Sequence, residues 1–157
     1  MRNHEVTGRQ KLLRHGQIAD PGWSRRMLQE YHREDIKAPK FRIKEWDYYL
    51  ITNEEFAVAL TVNDMGYMGM LSASFIHFDK KWEHTETELT MAPMGKFNMP
   101  SHTGESVVSQ KAEKSSFEFT TKDGERHLKC IFNNFDGDKD FRCDIILKEP
   151  RQDSIVI

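Results

Sequence analysis

Apolar and polar residues alternate along most of the chain from Phe41 onward, which is the two-residue period of a β-strand. The segments Phe41 to Thr52 and Glu55 to Asn63 follow this pattern, and Asn53-Glu54 between them predicts a tight two-residue turn. With that turn, residues whose numbers sum to 107 face each other across the hairpin. One face is then an apolar core surface, formed by Tyr49, Ile51, Phe56, Val58, Leu60 and Val62.

The opposite face of this hairpin is also largely apolar or aromatic. Large side chains on its first strand face small ones on its second, with Trp46, Tyr48 and Leu50 opposite Thr61, Ala59 and Ala57. A curved sheet fills a tapering interior in this way. The pattern therefore indicates a sheet that is covered on both faces.

The second half of the chain predicts a continuous antiparallel meander. Asp123-Gly124 is a strong hairpin dipeptide between strands at Ser115 to Thr121 and Arg126 to Asn133. A second turn around Gly137-Asp138 adds a third strand. The predicted inward pairs are Phe117 with Cys130, Phe119 with Leu128, Cys143 with Phe132, Ile145 with Cys130 and Leu147 with Leu128. Because all three strands agree on one apolar face, they predict an antiparallel sheet.

Between these halves lie a strand from about Tyr67 to Phe78 and a loop from Met91 to Pro100 that is rich in proline and methionine. We expect this loop to cross a barrel mouth or edge. Together the strands predict an all-β fold, either an antiparallel, lipocalin-like (calycin-type) barrel or a strongly bent meander sheet. At most one or two short helices are expected.

Residues 1–40 differ from the rest and predict an N-terminal arm that packs on the barrel domain of residues 41–157. Only Trp23 to Arg33 could form a short helix, and Ala38-Pro39 closes the arm. Residues 1–44 hold eleven basic and five acidic residues, whereas the remainder is net acidic. The basic residues are scattered among apolar ones, so we expect the arm to lie against the acidic remainder and not to bind nucleic acid.

The composition is that of a soluble globular protein, with 38% hydrophobic and 31% charged residues. The longest apolar run, Phe56 to Leu60, is too short to span a membrane, and the N-terminus has no secretory h-region. We therefore expect a cytoplasmic protein in which Cys130 and Cys143 are buried thiols rather than a disulfide. The chain stops in Ile155-Val156-Ile157, an apolar run that predicts a strand cut short.

Motifs that would indicate a metal or cofactor fail on spacing. In a calcium loop starting at Asp136, the required glycine and glutamate positions are held by Phe141 and Leu147. The seven histidines form no pair at ligand spacing with a third ligand nearby, and no phosphate-binding or nucleophile motif is present in the sequence. The sequence predicts neither a metal site nor a cofactor.

The candidate site lies in the strand Arg42 to Tyr49, where charged residues alternate with large aromatic ones. A salt-bridged strand under the arm would explain this pattern as well as a pocket wall would. In the pocket interpretation, aromatic faces line an apolar cavity and a few charged groups contact the ligand. The candidate ligand-binding residues are Lys44, Trp46, Asp47, Tyr48 and Tyr67. A buried Asp47 would have a raised pKa and could act as a general acid.

Several motifs together resemble an uncharacterised bacterial family, domain of unknown function 2804. They are Pro21 to Arg25, Ile36 to Pro39, Arg42 to Tyr49, Asp64 to Tyr67, Pro93 to Gly95 and Asn134 to Asp138. The resemblance implies two tandem lipocalin-like barrels, of which this chain supplies the first, with a distant similarity to carotenoid-hydratase and AttH-like proteins. The family brings no known catalytic residues.

Three functions remain open. The first is binding of an apolar small molecule of the lipid or isoprenoid type, with a second barrel of the same protein as a further partner. The second is a structural half-domain whose aromatic residues only pack. The third is a hydratase-like enzyme that protonates an isoprenoid alkene, so the sequence does not decide whether the domain is an enzyme.

Overall fold

The computed structural model describes residues 4–149 and 154–156. In this part of the chain the regular structure is β-strand, with two 3₁₀ helices (Arg33–Asp35 and Lys40–Arg42) and no α-helix. The short strands of the arm are β1 (Gln10–Lys11), β2 (Leu13–Arg14), β3 (Gln17–Ile18) and β4 (Gln29–Glu30). The longer strands are β5 (Glu45–Thr52), β6 (Phe56–Asp64), β7 (Met68–His77), β8 (Trp82–Met91), β9 (Ser106–Lys111), β10 (Ser115–Lys122), β11 (Glu125–Asp136) and β12 (Lys139–Lys148).

The longer strands form two antiparallel meanders of four strands each. The first sheet has the order β5-β6-β7-β8 and the second the order β9-β10-β11-β12, so within each sheet every strand pairs with its neighbours in sequence. The prediction of an all-β meander fold is confirmed. Among the described strands the two sheets do not join into a closed barrel.

The two sheets pack face to face, and the strands of the second run across those of the first. Near its start, β10 contacts β8, because Ser115 donates its hydroxyl hydrogen to Glu88 at 2.7 Å. Further along, β10 contacts the opposite edge of the first sheet, where the rings of Phe119 and Tyr49 meet edge to face at 5.0 Å. The space between the sheets is filled by buried side chains, including Leu60, Val62, Leu71, Phe117, Leu128 and Phe132.

The predicted register is confirmed for the central hairpin of the second sheet. Phe117 lies opposite Cys130 and Phe119 opposite Leu128. Asp123 and Gly124 have positive φ angles of 53° and 76°, as the favoured two-residue hairpin turn requires. Local turn chemistry was sufficient to set this pairing.

Two other registers differ from the prediction by two residues, which leaves the inward faces unchanged. In the first hairpin Tyr49 pairs with Leu60, because the turn is Glu54-Glu55. The Asn53 side chain accepts the N–H groups of Glu55 and Phe56, each at 2.8 Å, and so moves the turn one residue along. In the second sheet an irregularity between Phe132 and Asp136 shifts β12, with inward pairs Cys130–Cys143, Leu128–Ile145 and Arg126–Leu147.

The predicted helix at Trp23 to Arg33 is wrong. Trp23 and Ser24 form β-bridges with Glu5 and Val156, and β4 pairs with β1 in parallel. These partners satisfy the backbone groups that a helix would have used internally. Ile157, the last residue of the predicted final strand, lies outside the described residues.

The loop after β8 is anchored by the fully buried carboxylate of Asp64, at the end of β6. One carboxylate oxygen accepts the Gly66 N–H at 2.9 Å, and the other accepts the N–H groups of Gly95 and Phe97 at 2.8 and 3.4 Å. The Phe97 ring packs directly on Gly69, where a Cβ atom would lie 2.6 Å from the ring. The loop therefore crosses the end of the first sheet in a fixed position.

Replacing Asp64 by Ala should lower the free energy of unfolding by about 3 kcal/mol or more, since three N–H donors lose their acceptor in a buried site. Urea denaturation measures this loss. The exposed turn residue Asp79 provides the control, because Asp79→Ala should change stability by less than about 0.5 kcal/mol. Equal, small losses in the two variants would contradict the anchoring role of Asp64.

Candidate functional site

Strand β5 separates the candidate residues onto its two faces. Its inward face carries Glu45, Asp47, Tyr49 and Ile51, and its outward face carries Trp46, Tyr48 and Leu50. The cause is the two-residue period of a strand, which directs successive side chains to opposite sides of the sheet. Asp47 therefore cannot share a site with Trp46 and Tyr48.

A cavity of about 170 Å³ lies at the end of the space between the sheets, on the inward side of β5. Asp47 and Tyr49 form one wall, and Arg126, Phe119 and Thr121 of the second sheet form another. The remaining walls come from the arm, from the loop before β9 and from β9 itself: Met27, Tyr31, Pro100, Ser101, His102, Thr103, Ser106 and Val108. The site combines apolar and polar surface, as small-molecule sites do.

An outer groove of about 450 Å³ shares the walls Met27, Tyr31 and Ser101 to Thr103 with this cavity. It runs between β4 of the arm and the loop that contains His102. The groove therefore adjoins the inner cavity.

Arg126 contacts both an acidic and an aromatic residue at the polar end of the cavity. Its Nε donates to Glu149 at 2.6 Å, and its Nη1 donates to the Tyr49 hydroxyl at 3.0 Å. The guanidinium carbon also lies 5.8 Å from the centre of the Tyr49 ring. Arg126 therefore links the first sheet to the segment after β12, and its charge is paired with Glu149.

Asp47 is the carboxylate of the cavity that lacks a hydrogen-bond donor among the described residues. Burial raises the pKa of its carboxyl group, and the nearby Arg126 cation opposes this rise without cancelling it. Burial and the Asp47 charge also raise the pKa of Tyr49. Asp47 is thus a partly buried acid whose charged form its surroundings do not fully stabilise.

Glu45 lies two residues before Asp47 on the same face of β5, and its carboxylate contacts two residues of the arm. Arg33 forms an ion pair with it, and the Tyr31 hydroxyl donates to it at 2.5 Å. At this contact a basic residue of the arm meets an acidic residue of β5. It also places the Tyr31 ring at the cavity.

The other predicted site residues do not reach this cavity. Lys44, Trp46 and Tyr48 lie together in an open depression on the outward face, beside Thr61, Asn63 and Met65. Trp46 and Tyr48 are 60% and 55% exposed, so the expectation that this face lines a tapering interior is wrong. Tyr67, 50% exposed, lies in the β6–β7 turn and lines neither the depression nor the cavity.

Sequence reasoning missed most of the cavity wall. Arg126 and Tyr49 were available as an inward cation and an inward aromatic ring, but the sequence does not show that sheets crossing at an angle bring them together. The contributions of Met27, Tyr31 and His102 depend on the course of irregular segments, for which the chain has no periodic signal.

The chain matches the family model described as domain of unknown function (DUF2804) over residues 3–157. The protein therefore belongs to this family. No curated protein and no solved structure matches it. In the described part of the chain, no helix is long and apolar enough to cross a membrane.

Replacing Asp47 by Asn should leave the free energy of unfolding at neutral pH unchanged or higher. The pKa of Asp47 is higher in the folded than in the unfolded state. Ionisation of Asp47 therefore lowers the free energy of unfolding of the wild type as the pH rises above the ordinary pKa of 3.8. Any gain in the free energy of unfolding of the variant should therefore disappear near pH 3, at about the point where Asp47 is protonated in both the folded and the unfolded wild type. Urea denaturation at the two pH values tests this, and a loss of about 3–5 kcal/mol at neutral pH would instead identify Asp47 as half of a structural ion pair.

Proposed function

We propose that this domain binds a small molecule in the cavity between β5 and the β10–β11 hairpin. The observation that carries the proposal is the Asp47 carboxylate, which faces a partly enclosed space without a hydrogen-bond donor from the described residues. The carboxylate is open to this space, so a ligand bound there can donate the hydrogen bond that the described residues do not supply. Tyr49, Phe119 and Val108 provide apolar surface for the rest of the molecule.

The size of the cavity limits what enters it. A cavity of roughly 150 Å³ holds a molecule the size of benzene, so this one suits a compact group. The interior beyond it is filled by Phe117, Phe132 and their neighbours. A lipid or isoprenoid ligand, as the sequence suggested, would place its polar end at Asp47 and its tail in the outer groove.

Proton donation by Asp47 is the second candidate function. It is favoured by the raised pKa of this acid in a cavity that also contains the rings of Tyr31 and Tyr49. A general acid benefits from a pKa closer to neutral pH, and aromatic faces stabilise a cation formed from an alkene. Incubation with a short isoprenoid alkene, followed by mass spectrometry, separates the two candidates. A hydrated product that is absent with the Asp47→Asn variant would establish catalysis. Binding of the alkene without a product would support the binding function.

Filling the cavity should abolish ligand binding. Ser106 lines the cavity at the start of β9, so Ser106→Phe is expected to occupy the space a ligand needs. The matched control is Ser109→Phe, three residues along the same strand and exposed on its other face. Native mass spectrometry of protein purified from its own host should show a bound small molecule in the wild type and the control.

The Ser106→Phe variant should lack this molecule while unfolding at the same temperature as the control. Equal retention of the molecule by both variants would contradict the position of the site. Absence of any bound molecule from all three proteins would count against the binding function.

A further inference from the structure

The charges around the cavity are paired on both sides of Asp47. Toward the start of β5, Arg33 pairs with Glu45. Toward its end, Arg126 pairs with Glu149 through a contact of 2.6 Å. Both cations therefore already have a carboxylate of their own at close range.

Asp47 lies between these ion pairs and remains the third carboxylate beside two cations. The five groups together carry one net negative charge when ionised, and that charge is located at the cavity wall. Arg126 is close enough to lower the pKa of Asp47, yet burial still has the larger effect. A bound cation would balance this charge, whereas a bound anion would add to it.

The two phenols that face the cavity do not supply that cation. Burial raises the pKa of Tyr31 and of Tyr49, so both phenols stay neutral. His102 lies on the facing loop, and its Nδ1 accepts the Gly104 N–H at 3.2 Å.

We propose that the cavity selects a protonated amine with a compact apolar body, whose ammonium group donates hydrogen bonds to Asp47. The inference rests on the proposed binding function and specifies the ligand class for the same site. The ammonium group supplies the missing donor, and the apolar body packs on Phe119, Val108 and the Tyr49 ring. Charge-assisted hydrogen bonds of this type are stronger than neutral ones, so the charge of the ligand should determine affinity.

Three probes of nearly equal shape test the proposal: benzylammonium, benzyl alcohol and benzoate. Calorimetric titration of the intact chain at about pH 8 should show benzylammonium binding about tenfold or more tightly than benzyl alcohol. Benzoate should bind least well. In Asp47→Asn, benzylammonium should lose this preference, while the affinity for benzyl alcohol stays unchanged.

Glu83→Gln is the control for net charge, since it removes one negative charge from the exposed, outward face of β8. It should keep the preference of the wild type. If benzyl alcohol or benzoate binds the wild type as tightly as benzylammonium, the cation selectivity is wrong but the cavity is still a binding site. If none of the three probes binds, both the selectivity and the proposed function are overturned.

Discussion

The three hydrogen bonds that Asp64 accepts position the part of the molecule in which function is proposed. Asp64 is fully buried at the end of β6, and it holds Gly66 of its own turn together with Gly95 and Phe97 of the loop after β8. Gln110 on β9 donates to the Phe97 carbonyl at 3.0 Å and ties the same loop to the second sheet. The chain then continues directly into Pro100 to Thr103, which close the cavity.

Neighbouring strands carry two acids in different surroundings, Asp64 in the anchored loop contact and Asp47 at the proposed site. The Asp64 carboxylate has donors fixed by the backbone, so its charge stabilises the fold. Asp47 lies on the adjacent strand, opposite Val62, and the described chain gives it no donor. A ligand that donates to Asp47, as we propose, would account for a partly buried carboxylate that the described chain leaves without a donor.

The sequence predicted the parts of this fold that depend on local chemistry. Alternation identified the inward faces correctly even where the register was shifted, because a shift of two residues preserves the face. Strand β8 was not predicted, since its inward positions hold His84, Glu86 and Glu88 and its apolar alternation is weak. The arm was mispredicted at Trp23 to Arg33 because its strands pair with distant segments, which a local pattern does not reveal.

The candidate site was predicted only in part, for a related reason. Strand alternation placed Asp47 with Tyr49 on the inward face, as the structure shows, but the aromatic side chains of Trp46 and Tyr48 were assigned to the same pocket although they point outward. Arg126 lies at the site because the two sheets cross there. Tyr31 lies at the site because the Arg33–Glu45 ion pair joins the arm to β5. Neither contact follows from the spacing of residues along the chain.

Among the described residues, Asp47 is a partly buried acid without a hydrogen-bond donor, at the wall of the cavity in which we propose that a ligand binds. A site-resolved NMR titration of the Asp47 carboxyl carbon in the ligand-free protein tests it most directly, because it reports the protonation of this one group. The structure predicts a pKa above that of an ordinary aspartate, since burial outweighs the attraction of Arg126. A pKa at or below the ordinary value would show that the carboxylate is already paired and would contradict the account.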